Sequence, residues 1–124
     1  MKLDKDLVRE VLLKLEADDS DPRDWKDLDI TQWPREQVAY TISVLANGGL
    51  LEAEELSSHD GYDWRATQLT FTGHEYLETV RDPLIWKKTK EVASKTGVYS
   101  LQVLMEAGKM VVKQQLMNHG IHLP

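Results

Sequence analysis

The chain has 124 residues, with 15 basic and 21 acidic side chains for a formal charge of −6, and no cysteine. That length can bury a core without disulfides or a structural metal, and the missing thiols exclude disulfide staples, cysteine nucleophiles and cysteine-ligated zinc. The negative charge disfavours indiscriminate nucleic-acid binding; with no apolar run near the roughly 18 residues of a membrane span and no export leader, the expectation is a cytoplasmic protein without membrane contact.

Residues 4–16 predict the first helix. Leu3, Leu7, Val8, Val11, Leu12 and Leu15 share one face, and Lys5, Asp6, Arg9, Glu10 and Lys14 fall mostly on the rest. Leu13 lies off the stripe, as a surface leucine or a contact for later helices. Residues 18–29 follow as a polar, acidic connection with Trp25 as its one large anchor. The acids lack EF-hand spacing, so a solvated loop is expected rather than a metal site. Residues 28–30 predict a short strand.

Pro34 suits the first turn of a helix, where its missing N–H costs nothing, and the helix is expected to run over 34–47. Val38, Ala39, Ile42, Leu45 and Ala46 form its inner face, and Glu36, Gln37, Tyr40, Ser43, Val44 and Asn47 its outer face. Gly48-Gly49 stops it. A strand-like run over 50–54, a tip at 59–63 with Asp60-Gly61 as its turn, and a returning strand over 65–71 then read as a hairpin. Helix, Gly-Gly, strand, turn, strand and helix is the order of a winged helix. The supporting helix usually found before the recognition helix must be very short, irregular or missing between Glu16 and Pro34.

Thr72 and Glu75 fit a capping box, so a third helix is expected from Thr72, with Tyr76, Leu77 and Val80 apolar. Asp82-Pro83 predicts a new cap and a change of direction. The next helix would be anchored by Leu84, Ile85, Trp86 and Ala93, kept basic by Lys87, Lys88, Lys90 and Lys95, and ended by Gly97. Residues 99–117 predict a last helix with two apolar faces, Leu101, Leu104, Met105, Gly108, Val111, Val112 and Leu116 on one, Tyr99, Val103, Met110 and Met117 on the other. Such a helix either threads the core or supports a homodimer.

The opening residues 1–9, the segment from Val38-Ala39-Tyr40 through Leu45 to Gly49-Leu50, and above all residues 69–82 with Trp86 resemble the bacterial and prophage family catalogued as domain of unknown function 2513. The resemblance spans nearly the whole chain. It implies a winged-helix-like fold and a phage or prophage origin, and brings no activity or catalytic residues.

The expected architecture is therefore α+β and mainly helical. A winged-helix-like core over 1–81 carries a short β-hairpin wing, and a C-terminal helical extension over 82–124 packs on it as one compact domain. Charge is uneven along it: residues 1–71 sum to −8, whereas 72–96 carry 5 basic against 4 acidic groups and 97–124 carry 2 against 1.

A winged helix suggests DNA first. Gln37 and Asn47 can pair with base edges and Tyr40 can reach a phosphate, but phosphate affinity needs Lys or Arg. Arg35 is the helix's one basic group, and the wing sets Glu52, Glu54, Glu55, Asp60 and Asp63 against Arg65. A nucleic-acid route would use Arg35 with Arg81, Lys87, Lys88, Lys90 and Lys95. A protein partner fits with less strain: Gln37, Tyr40, Val44 and Asn47, with Tyr62 and Trp64 at the neighbouring tip, form an aromatic surface with a polar rim. Tyr40 reads equally as packed under the wing or against the C-terminal helices. No nucleophile elbow, phosphate loop or paired ligand set accompanies His59, His74, His119 or His122. The expectation is a non-enzymatic binder without cofactor or metal, its target a protein ahead of DNA.

Overall fold

A computed structural model describes residues 1–121. The chain is α+β and mainly helical: α1 (Lys5–Ala17), α2 (Arg35–Asn47), β1 (Leu51–Glu55), β2 (Trp64–Leu69), α3 (Phe71–Val80), α4 (Pro83–Ser94) and α5 (Leu101–Asn118). The arrangement is winged-helix-like, with β1 and β2 as an antiparallel wing. Two compact units divide at Leu77 and Glu78, inside α3.

The first unit is built on the stripe of α1. Leu7, Val8, Val11 and Leu12 are fully buried, and burying such a side chain contributes about 1.5–3 kcal/mol. Asp4 caps this helix with one carboxylate oxygen, which accepts from the backbone N–H groups of Asp6 (2.9 Å) and Leu7 (3.1 Å). Its other oxygen accepts from the Trp33 indole at 3.2 Å. One side chain thus ties the start of α1 to the entrance of α2.

No helix or strand forms between α1 and α2. The strand expected at 28–30 is absent because only one backbone bond joins this connection to the sheet, from Lys26 N–H to the Ala66 carbonyl (2.9 Å). The expected anchor, Trp25, is 51% exposed, and Lys26 is buried in its place.

In α2, Ala39, Ile42 and Leu45 are buried and Val38 and Ala46 half-buried. Pro34 stands at the N-cap, just outside the first turn. Ser43, expected on the outer face, is buried. Its hydroxyl donates to the Tyr40 carbonyl (2.7 Å) and accepts from the Tyr62 hydroxyl (3.0 Å), so the hairpin tip covers it. Gly49 takes φ 79°, and Leu50 N–H and Gly49 N–H return to the carbonyls of Leu45 and Ala46, a Schellman closure.

The hairpin pairs Leu51 with Leu69 and Glu55 with Trp64, with a bulge after Glu52. Thr67 bridges the bulge by donating to the Glu52 carbonyl (3.1 Å). At the tip, Ser58 and Gly61 exchange backbone bonds of 3.0 Å, a turn that needs Gly61 at φ 131°. Phe71, expected to end the second strand, begins α3 and is 79% exposed. The cap is Thr70 rather than the expected Thr72: its hydroxyl accepts from Gly73 N–H (3.1 Å) and donates to the Gly49 carbonyl. Thr70 wins because its hydroxyl also reaches the end of α2. Tyr76, Leu77 and Val80 are fully buried, as their spacing predicts.

In the second unit Asp82 caps α4, accepting from Leu84 N–H (2.9 Å) and Ile85 N–H (3.0 Å), and Pro83 opens the first turn. Trp86 and Ala93 are buried against α5, whereas Leu84, expected as an anchor, is 56% exposed because the cap turns it outward. Ser100 caps α5, which leaves Tyr99 outside the helix. Leu104, Gly108 and Val111 are buried, while Tyr99, Met110 and Met117 on the second face are exposed.

Candidate functional site

Lys26 organises the acidic connection. Its side chain is buried, and its ammonium donates to the backbone carbonyls of Asp21 and Asp24, both at 2.5 Å. Lysine is almost never buried without such partners, and here the carbonyls replace its water shell. Local turns shape the same loop. Asp18 accepts from the hydroxyl and N–H of Ser20, and Asp21 accepts from the guanidinium and N–H of Arg23.

These bonds hold both carboxyls below the ordinary aspartate value. The largest cause is the Ser20 hydroxyl for Asp18 and the Arg23 guanidinium for Asp21. A depressed folded pKa means that the turn's stabilisation is fully present above the unfolded value of 3.8 and is lost as pH falls through the lower, folded value. Carboxyl NMR should therefore find both groups more than half ionised at pH 3.8; half-protonation there would mean that these turns do not persist in solution.

Beyond Lys26 the connection runs along the first turns of α2 and the start of β2, enclosing a cleft of about 520 Å³. Ile30, Trp33, Val38, Ile42 and Trp64 supply apolar walls, and Asp27, Asp29, Arg35, Asp63 and Arg65 supply the charge. Asp63 lies between two arginines, 3.2 Å from Arg65 and 4.0 Å from Arg35. The Arg65 guanidinium also stands 5.3 Å from the centroid of the Trp25 ring. Asp27 accepts the N–H of Asp29 (3.0 Å), which turns the chain with Asp29 at φ 52°.

Of the residues expected to bind a partner, Trp64 lines this cleft and Gln37, Tyr40, Val44, Asn47 and Tyr62 do not. Asn47 is exposed, Gln37, Tyr40 and Val44 are half-buried, and Tyr62, 41% exposed, is joined to α2 through Ser43. Of the basic set, Arg35 lies at the cleft in the first unit, and Arg81, Lys87, Lys88, Lys90 and Lys95 lie in the second. Arg81 pairs with Glu78 (2.9 Å), and the Lys90 ammonium stands 5.3 Å from the centroid of the Trp86 ring. Lys87 and Lys95 are exposed.

Sequence reasoning missed Lys26, Trp33, Asp27 and Asp29 as parts of one site. The one local signal was the crowding of charge and tryptophan over residues 24–35. His59, His74 and His119 are exposed, and His122 lies outside the described residues. Among the described residues no three metal-ligating side chains gather, and no helix is long and apolar enough to cross a membrane.

The chain is 32% identical over 117 residues to a Haemophilus influenzae Rd protein named only as uncharacterized, a match covering 94% of this chain and 99% of that one. No solved structure matches it. The family model described as "Hypothetical protein (DUF2513)" matches residues 2–99. With its helix cap at Asp82 and buried Trp86 inside that match, the chain belongs to this family.

Proposed function

We propose that the protein acts by binding another protein rather than by catalysis, as a prophage-type regulator or inhibitor of a host or defence protein. The observation that carries this reading is the charge of the winged-helix-like unit. Residues 1–77 hold 8 basic against 17 acidic side chains. The hairpin, which a DNA-reading wing would lay along phosphates, sets five carboxylates against Arg65, itself bonded to Asp63. Tyr40 and Tyr62 leave aromatic surface beside neutral Gln37 and Asn47, the composition of an interface centre with a polar rim.

A DNA-binding regulator is the second reading. It is favoured by α4 and its C-cap, where Lys87, Lys88 and Lys95 have no carboxylate partner among the described residues. Capture from a bacterial extract with the full chain, assayed for protein and nucleic acid, separates the two. One enriched protein is expected, with Tyr40→Ala weakening it by about 2 kcal/mol as an interface anchor. Capture of nucleic acid alone, with a salt-sensitive mobility shift abolished by Lys87→Glu with Lys88→Glu, would overturn the protein reading.

A further inference from the structure

Two of the three cations of the cleft beside α2, Lys26 and Arg65, are engaged within the fold. The Lys26 ammonium serves the Asp21 and Asp24 carbonyls. Arg65 is bonded to Asp63 and stacked on Trp25, and Arg35 faces the same carboxylate. Asp27 and Asp29 have no cationic partner among the described residues, although both line the cleft with Trp33 and Trp64. A volume of about 520 Å³ lies within the range of specific small-ligand pockets.

We propose that this cleft receives an arginine side chain of the protein partner, its stem and guanidinium plane against the tryptophan walls and its charge on Asp27 and Asp29. This rests on the protein-partner reading above. A purely apolar occupant would strip water from two carboxylates without replacing it. An anionic occupant would meet those carboxylates while Arg65 is already bonded to Asp63, which leaves it only the exposed Arg35, 4.0 Å from the same carboxylate. Arginine suits the site better than lysine because its planar guanidinium both stacks on aromatic rings and bonds carboxylates in a fork. Charge complementarity extends beyond the cleft, since the unit around it carries a formal −9, which favours a basic partner surface and speeds encounter.

The test is an NMR titration of the full chain with N-acetyl-arginine methylamide, with the neutral citrulline analogue and N-acetyl-glutamate methylamide as comparisons. The expected result is saturable shifts of the Trp33 and Trp64 indole N–H signals by the arginine probe alone. Asp27→Asn with Asp29→Asn should weaken it about tenfold, the loss of a charge-assisted pair. Asparagine keeps the carbonyl that accepts the Asp29 N–H and tolerates a positive φ, so the loop turn survives this change. Equal binding of the citrulline probe, preference for the glutamate probe, or shifts only outside the cleft would overturn the proposal. The partner reading fails separately: if the arginine probe binds but the extract yields no protein, the cleft stands without that reading. If a protein is captured equally by wild type and by the double asparagine variant, the partner stands and the cleft proposal falls.

Discussion

Gly73→Ala should lower the unfolding free energy by about 3 kcal/mol, near the upper end for overpacking. Gly73 lies in the first turn of α3, directly over the carbonyl of Leu50. A β-carbon there would overlap that oxygen and lie 2.9 Å from the carbonyl carbon. The obstacle is backbone, and the same carbonyl accepts Thr70 N–H at 3.1 Å, so neither side can move without breaking the junction of β2 and α3. Alanine's higher helix propensity, worth about 1 kcal/mol, does not offset this. Gly108→Ala is the matched comparison: its β-carbon would meet the Thr79 methyl at 2.6 Å, a side-chain contact that can yield, and the loss should be smaller. Denaturant midpoints measure both, and an unchanged midpoint for Gly73→Ala would contradict the close approach.

Lys26→Met should cost about 2 kcal/mol, the scale of hydrogen bonds to a charged donor, and should loosen the connection that shapes the cleft. Methionine keeps the length and apolar character of the stem while deleting the ammonium that gathers the Asp21 and Asp24 carbonyls. The Lys26 N–H bond to Ala66 remains, so the change acts on the loop more than on the sheet. Amide hydrogen exchange over residues 18–29 should accelerate while α1 stays protected. Unchanged exchange in the loop would show that the ammonium does not hold it. Because Asp27 and Asp29 follow directly in the chain, the arginine probe should also bind Lys26→Met more weakly.

Helical periodicity, glycine stops and the Asp82-Pro83 cap depend on residues within a few positions of one another. The stripe from Leu7 to Leu15, the end of α2 at Gly48-Gly49, the turn at Gly61 and the start of α4 were therefore legible in the sequence. So was the charge difference between the two parts of the chain. The winged-helix-like order of these pieces was legible there too, and the family resemblance implied the same fold.

What escaped the sequence depends on partners far along the chain. Thr70 and Thr72 offer the same hydroxyl locally, and only the Gly49 carbonyl, 21 residues away, selects Thr70. Ser43 looks outward on a helical wheel until Tyr62, 19 residues later, closes over it. Lys26 reads as solvated within an acidic run, yet the sheet takes its backbone at Ala66 and the loop folds its carbonyls around its ammonium. The cleft itself joins Asp27 and Trp33 to Asp63 and Trp64, thirty or more residues apart in sequence. Local sequence determined where the elements begin and end, because backbone dihedrals and caps are short-range; the tertiary structure alone decided which charges are paired inside the fold and which stay exposed, because electrostatic pairing depends on distance in space.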